Sequence, residues 1–297
     1  MAKPEVPLLA RALLAGLLCL GCLRESRPTP ERRPAAQVDV IAVGHGDSIL
    51  ITSAAGKRLL IDGGEAEAAP SVLALLQQRG ACPLDLILLT HRHSDHLGGL
   101  ASIVESCGTK AFMDSGYRHD TPIYLRLLHV LERRHVPLLQ ATSGRTIELG
   151  PGVVLTLLGP PQPFLDLGEE GVNGNSVVAR LAVGDVSMLL SGDANFDEEE
   201  WLIARGLALR STVLKVGHHG SRTSSSAVFL RAVAPRLAVI SNRADAPKHP
   251  HPETSERLRK TGAQILETGR EGTIHLDFDE NSVAFHTASH PQTVGLP

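Results

Sequence analysis

The sequence predicts an α/β fold built on two β-sheets, and three observations carry the prediction. Apolar strand-like runs alternate with helical stretches along most of the chain. The alternation occurs in two halves that divide near residue 144. The chain has 297 residues and 42% hydrophobic composition, enough for one large core or two small ones. Aromatic residues make up only 3%, so the core is expected to consist of Leu, Val, Ala and Ile.

The elements follow in order. VDVIAV (38–43) and SILITS (48–53) are strand-like and joined by the Gly-rich hairpin GHGD (44–47), and RLLID (58–62) is a third strand. PSVLALLQQRG (70–80) is helical and ends on Gly. LDLILLT (84–90) is a fully apolar strand, HLGGLASIVESCG (96–108) a helix and KAFMDS (110–115) a short strand. PIYLRLLHVLERRH (122–135) is an amphipathic helix with Pro at its start. The second half has strands at VVLTLLG (153–159), NSVVARLAV (175–183), VSMLLSG (186–192), TVLKVG (212–217) and RLAVIS (236–241). Its helices are NFDEEEWLIARG (195–206), SSAVFLRAVAP (225–235) and PETSERLRKTG (252–262). GTIHLDF (272–278) and SVAFHT (282–287) close the chain as a hairpin. No short-period repeat of the solenoid kind is present.

The ends of the chain read differently. Lys3 and Arg11 precede the apolar stretch Ala12 to Cys22, which is too short to span a bilayer but suits an export signal. Its ending, LCLGC, resembles a bacterial lipoprotein signal, with Gly21 before Cys22 and Cys19 where such signals usually carry Leu. Lipidation of Cys22, an ordinary cleaved signal and an uncleaved apolar anchor all fit. Residues 1–22 are expected to be the signal, 23–36 a Pro- and Arg-rich tether, 37–290 the folded domain and 291–297 a tail. The protein is then exported, as a membrane-anchored lipoprotein or as a periplasmic or extracellular protein.

Formal charge is −3. Loss of residues 1–22 removes Lys3, Arg11 and Glu5, a net +1, and leaves −4. No block of like charge stands out, which excludes a broad electrostatic footprint for nucleic acid but not transient binding of a phosphate-bearing substrate. Cys82 and Cys107 remain after the signal, each just before a predicted strand of one β-α-β unit. A disulfide and two separate buried thiols both fit.

The densest chemistry lies in LLTHRHSDHLGGL (88–100), which holds three histidines and an aspartate within six residues, directly after an apolar strand. His91 and His93 lie two apart, so in extended chain they point the same way. Asp95 and His96 come as the chain turns into the next helix and face the same cavity from another side. Such a set suits two adjacent divalent metals, and imidazole with carboxylate favours Zn²⁺, Mn²⁺ or iron. Downstream, LLSGDA ends a strand on Asp193, and LKVGHHGS ends another on His218 and His219. A fold that gathers these strand ends on one edge gathers the ligands.

With these residues in view, the sequence resembles the metallo-β-lactamase superfamily over about residues 37–290. It is most similar to the soluble domain of ComEC-type DNA-uptake proteins and their free-standing relatives. The matching stretches are VGHGDSILI, LLIDGG, LTHRHSDHLGGL, NGNSVVARL, LLSGDA, LKVGHHGSRTSSS and HPHPET. The resemblance implies a four-layer αββα sandwich of two mixed sheets flanked by helices, with two divalent ions, zinc or manganese. It assigns His91 and His93 to one metal, Asp95 and His96 to the other, Asp193 to the bridge and His219 to the second metal, with His218 as the alternative. Asp62, in IDGG, resembles the family's buried orienting aspartate, or is a turn aspartate that caps a hairpin. Asn175 stands where most of the superfamily carries another histidine, and ligates weakly or holds a water. Asp47 is kept from the branch's usual turn, whereas His45 replaces its Gln and either touches the site or is exposed.

The implied activity is hydrolysis by a metal-activated hydroxide, with Asp95 and His249 as candidate catalytic residues. GSRTSSS points to a phosphodiester, because hydroxyls and a cation precede a helix start. Ser221, Ser224 and Arg222 are the candidate phosphate contacts, with a plain helix N-cap as the alternative for the serine run. His249 and His251, in HPHP, are placed to protonate a leaving group, or form a rigid loop. The alternatives are hydrolysis of another ester, a lactone or a β-lactam, and a non-catalytic binding module with a weakened metal site.

Overall fold

The computed structural model describes residues 1–2, 34–245, 249–291 and 293–296. Cys22 and all but the first two residues of the expected signal lie outside them, as does the tether up to residue 33. Among the described residues no helix is long and apolar enough to cross a membrane.

The chain opens with three antiparallel strands, β1 (Ala36–Val40), β2 (Ile49–Ser53) and β3 (Arg58–Ile61). It then alternates α1 (Ala69–Gln78), β4 (Leu86–Leu89), a one-turn α2 (Ser94–Leu97) running into α3 (Leu100–Ser106), β5 (Phe112–Asp114), α4 (Pro122–Arg133) and β6 (Leu138–Gln140). The second half repeats the scheme. Antiparallel β7 (Thr146–Gly150), β8 (Val153–Leu157), β9 (Ala179–Val183) and β10 (Val186–Leu190) lead into α5 (Phe196–Ala204), β11 (Val213–Lys215), α6 (Ala227–Val233), β12 (Leu237–Ile240), α7 (Pro252–Arg259) and β13 (Gln264–Glu267). A short α8 (Thr268–Glu271) precedes β14 (Ile274–Phe278), β15 (Val283–His286) and β16 (Val294–Gly295), which return to the first sheet.

The first sheet has nine strands in the order β16-β15-β14-β1-β2-β3-β4-β5-β6, and the second has seven, β13-β12-β11-β10-β9-β8-β7. In each, antiparallel strands give way to parallel ones, from β3 to β6 and from β10 to β13. Three apolar clusters separate four layers. One joins the facing sheets through residues such as Val38, Ile51, Leu155 and Leu181. The second packs Leu60 and Ile87 under Val72, Ile103 and Leu127 of α1, α3 and α4. The third packs Leu189 and Leu214 under Leu202, Phe229 and Leu258 of α5, α6 and α7. This is the αββα sandwich. β4 and β12 are buried at every position, as parallel strands covered on both faces must be.

Local chemistry sets the helix starts. The Thr121 side chain accepts from Tyr124 N before Pro122, Asn195 Oδ1 accepts from Glu198 N, and Ser226 Oγ accepts from Phe229 N. Four strands escape the sequence pattern: β6, β7, β13 and β16. β6 and β13 are short, partly polar edge strands, and their pairing is supplied by β5 and β12. Pairing includes Ala36 and the 294–295 strand, so the sheet extends past both ends of the 37–290 span. The segment read as a tail carries its edge.

Cys82 and Cys107 form a disulfide, with Cα atoms 5.0 Å apart. It ties the approaches to β4 and β5, beside the parallel bridge of Leu84 and Thr109.

Candidate metal centre

The carboxyl ends of β3, β4, β10, β11 and β12 lie on one edge, where ligand sites of such sheets form. Asp62 follows β3 and sits at φ 59, a left-handed backbone that aspartate tolerates better than most residues. It is fully buried. Its Oδ1 accepts from Thr90 N at 2.7 Å, and its Oδ2 accepts from Thr90 Oγ1 at 2.7 Å and lies 2.8 Å from His96 Nδ1. Burial raises this carboxyl above its ordinary value. His96 is therefore fixed through Nδ1, and its Nε2 faces the cavity.

Four groups meet there. Ligand atoms of Asp95, His96, Asp193 and His219 all lie within 4.8 Å of one another. Asp193 Oδ1 is 3.3 Å from His96 Nε2 and 3.7 Å from His219 Nε2, and Asp95 Oδ2 is 3.3 Å from His219 Nε2. The other oxygen of Asp193 turns away from this set. Its Oδ2 lies 3.6 Å from His91 Nε2, which is 3.1 Å from His93 Nδ1. Asp193 thus stands between two groups of imidazoles, one oxygen toward each.

This donor set fits divalent cations. Asp193 Oδ1 is buried without a hydrogen-bond partner, a costly state unless a cation faces it. Burial lowers His91 well below the ordinary histidine range and lowers His93 less, which keeps both in the neutral form that ligates. Burial also opposes charge on His96 and His219, yet Asp193 with Asp95 for His96, and Asp193 with Asp95 and Asp47 for His219, outweigh it and raise both. The carboxylates draw positive charge to this point, and a divalent ion meets the same demand.

His218 and His219 form a tight turn after β11, both with left-handed backbone. His219 Nδ1 lies 3.1 Å from the Ser241 carbonyl, which accepts its hydrogen bond and leaves Nε2 to face the site. His218 Nε2 faces Asp193 Oδ2 at 3.8 Å. Behind the turn, the buried Lys215 Nζ donates to Asp47 Oδ2 at 2.9 Å and to Val216 O at 3.0 Å. Asp47 also holds the Asp95 turn, donating its backbone N–H to Asp95 O. Gly46 must be glycine, because a Cβ there would come within 1.9 Å of Asp95 O.

Residues 41–244 match the Metallo-beta-lactamase superfamily. The chain belongs to this superfamily. Curated relatives are Competence protein ComA of Neisseria gonorrhoeae, 31% identical over 95% of this chain and 40% of its own, and ComE operon protein 3 of Bacillus subtilis, 25% identical over 80% and 32%. Recombination protein 2 of Haemophilus influenzae is 29% identical over 86% of this chain and 30% of its own. The chain spans 40% or less of the length of these relatives. CmlA, a diiron beta-hydroxylase from Streptomyces venezuelae, shares the fold at 15% identity and a TM-score of 0.50, over 81% of this chain and 53% of that one.

Within this metallo-β-lactamase frame, several sequence-derived residues sit differently from expectation. Asn175 does not face the metal groups. Its Oδ1 accepts from Leu165 N at 2.8 Å, and its Nδ2 donates to Leu165 O at 3.0 Å and Gly171 O at 2.8 Å, which commits the amide to pinning a loop. Ser224 is fully buried, and its hydroxyl donates to Gly217 O and Ser221 O, so it shapes the turn and is closed to substrate. Ser221 Oγ accepts from Thr223 N. His251 caps α7 by accepting from Glu253 N. Arg222 stays exposed, 3.6 Å from Glu253.

His249 does reach the site. Its ring stands 5.5 Å from His45, 6.0 Å from His218 and 6.5 Å from His219. Burial and then the neighbouring imidazoles push it down to about 4. His45 touches the site, with Nε2 3.5 Å from Asp95 Oδ2. Sequence reasoning missed Thr90, Lys215 and the Ser241 carbonyl. Only Lys215 carried a signal, a lone cation inside the apolar run TVLKVG.

Proposed function

We propose that this chain is a metal-dependent hydrolase of phosphodiester bonds, exported from the cytoplasm, with nucleic acid as its polymer substrate. One observation carries the reading. Asp193 is buried and presents Oδ1 to His96 and His219 and Oδ2 to His91. A carboxylate so placed would hold two ions, and such a pair would supply the charge stabilisation that displacement at phosphorus needs. His91 and His93 would hold one ion, and Asp95, His96 and His219 the other, zinc or manganese. When bound, the pair supplies Lewis acidity, which acidifies a water and screens charge on a phosphoryl oxygen.

The protein's own groups do the rest. Asp62 and Thr90 hold His96, and the Ser241 carbonyl holds His219, so neither ring reorganises during reaction. Asp95 is kept ionised by His96 and His219 against the effect of burial, and orients the attacking water by accepting its hydrogen bond. His249 is neutral near pH 7, so it acts as an N–H donor to a phosphoryl oxygen and not as a stored proton. A cavity of about 560 Å³ opens beside it, lined by Asn242, Ser255, Arg259 and Arg270 among others. Arg259 suits a flanking phosphate, whereas Arg270 lies 3.7 Å from Glu267, which also lines the cavity.

The names of the relatives, competence and recombination proteins, favour DNA. The disulfide supports an oxidising compartment, and lipidation of Cys22 would fix the protein at a membrane surface. The test is metal analysis of the purified protein, followed by assays on bis-p-nitrophenyl phosphate, single- and double-stranded DNA, and a chromogenic β-lactam. Diester hydrolysis abolished by chelation and restored by Mn²⁺ or Zn²⁺ is expected. Cleavage of the β-lactam but of neither diester substrate would overturn the reading.

A further inference from the structure

We propose that Tyr117 and Phe164 form a stacking platform for a nucleobase beside the metal centre. The inference rests on the phosphodiester reading and narrows it to a substrate with unpaired, accessible bases.

Aromatic residues are scarce in this chain, and most are hidden. Phe112, Phe229, Phe278 and Phe285 are at most 1% exposed, and Tyr124 is 5% exposed. Phe196, 41% exposed, lies under the Arg257 guanidinium, whereas Phe164, 36% exposed, meets the ring of half-buried Tyr117 edge to face, with centroids 5.3 Å apart. The pair spans both sheets at the edge that bears the site. Tyr117 lies on the loop leaving the carboxyl end of β5, whose parallel neighbour β4 delivers His91. Phe164 lies on the loop between β8 and β9, which ends beside β10 and Asp193. On the Tyr117 loop, the His119 ring stands 5.6 Å from that of His93.

The pair is held in place on both sides. Gly116 N donates to Asp114 Oδ1 at 3.0 Å, and Tyr117 N donates to Ser115 Oγ at 3.2 Å. Arg92, between the two ligating histidines, donates to the same Asp114 and lies 3.5 Å from Asp120. On the other loop, Asn175 grips both backbone groups of Leu165, next to Phe164. Gly171 makes room for the tyrosine hydroxyl, since a Cβ there would lie 2.1 Å from it. Asn175 thus fixes the loop that bears an exposed aromatic.

Charge makes such a platform useful. At −3 overall, the protein gains little from the phosphate term that dominates most nucleic-acid binding. Stacking on an aromatic face requires no net charge and accepts every base. A base stacked here would set the adjoining phosphate at the ions, and a duplex would have to unstack to reach it.

Binding tests this apart from catalysis. The probe is a single-stranded phosphorothioate oligonucleotide carrying 2-aminopurine, compared with the same backbone made wholly abasic. The metal-loaded protein should quench the fluorophore and bind the base-bearing strand roughly 5- to 100-fold more tightly than the abasic one. Phe164→Leu, which keeps apolar packing against Tyr117, and Tyr117→Ala should remove that difference and leave abasic binding unchanged. Phe164→Trp should preserve it. Equal binding of the two strands by the wild-type protein, no binding of either, or variants that weaken both alike would overturn the platform. Base-dependent binding without hydrolysis of bis-p-nitrophenyl phosphate would overturn the phosphodiesterase reading alone. Hydrolysis without base dependence would overturn the platform alone.

Discussion

Lys215 and Asp47 form a buried ion pair, N to O 2.9 Å, with side chains 1% and 2% exposed. Burial opposes ionisation of Asp47, but the ammonium outweighs it and keeps the carboxyl lowered. Removing one member of such a pair strands a charge. Lys215→Met should therefore cost about 3–5 kcal/mol in chemical denaturation, and Asp47→Leu alone a similar amount. The double variant should be more stable than either single one. Additive losses would show that the two groups do not compensate each other.

Under the proposed reading, Asp193 would hold both ions. Asp193→Ala should abolish hydrolysis and lower the bound metal count, read by mass spectrometry of the native protein. Full activity with an unchanged metal count would remove the bridge.

Asn175 makes three hydrogen bonds, all to loop backbone. Asn175→Ala should lower stability by about 1–3 kcal/mol, the cost of buried polar groups left unpaired. Asn175→His should leave metal retention on dialysis unchanged. A gain in retention would show that position 175 faces the metal after all.

The Cys82–Cys107 bridge closes a separation of 25 residues. Intact-mass measurement without reductant should find the protein two hydrogens lighter than the dithiol. Reduction should lower stability by about 2–4 kcal/mol. Quantitative alkylation of both cysteines without reductant in the unfolded protein would contradict the bridge.

Glu199 is buried and accepts N–H groups from Ser225 and Ser226. Burial outweighs these bonds and raises its carboxyl from 4.5 to about 7. The folded state holds this proton more tightly than the unfolded state. The contribution is thus fully present below pH 4.5 and is lost as pH rises through about 7, by about 3 kcal/mol in all. Glu199→Gln should remove that slope. Unfolding free energies of wild type and variant that stay parallel from pH 4.5 to 7 would rule it out.

The clustering of His and Asp side chains was legible in the sequence because metal chemistry restricts residue type and spacing. HRHSDH at the end of an apolar strand has few other uses, and Asp193 and His219 end strands of the same kind. The groups that orient them were not legible. Thr90 and the Ser241 carbonyl act through positions that many residues could fill, and nothing local separates them from ordinary strand ends. Asn175 was misread for the same reason. An amide next to a site can face inward or grip backbone, and only the path of the 160–174 loop decides. The serines of GSRTSSS look like phosphate contacts, but the turn uses Ser224 for its own carbonyls. Strands β6, β13 and β16 stayed hidden because an edge strand takes its conformation from a neighbour and not from its own pattern.

The turn at His218 and His219 holds two successive non-glycine residues at φ 46 and φ 53. Each left-handed residue costs on the order of 1–2 kcal/mol, and glycine would relieve most of it. The geometry explains why the cost is tolerated. A left-handed pair splays its side chains, and the two rings stand 81° apart, one toward each oxygen of Asp193. Selection for durability alone would drift toward glycine at both positions and silence the site. Under the metal reading proposed above, the pair marks a trade-off inside the molecule, and sequences freed from the need to hold ions should lose these histidines before they lose the fold.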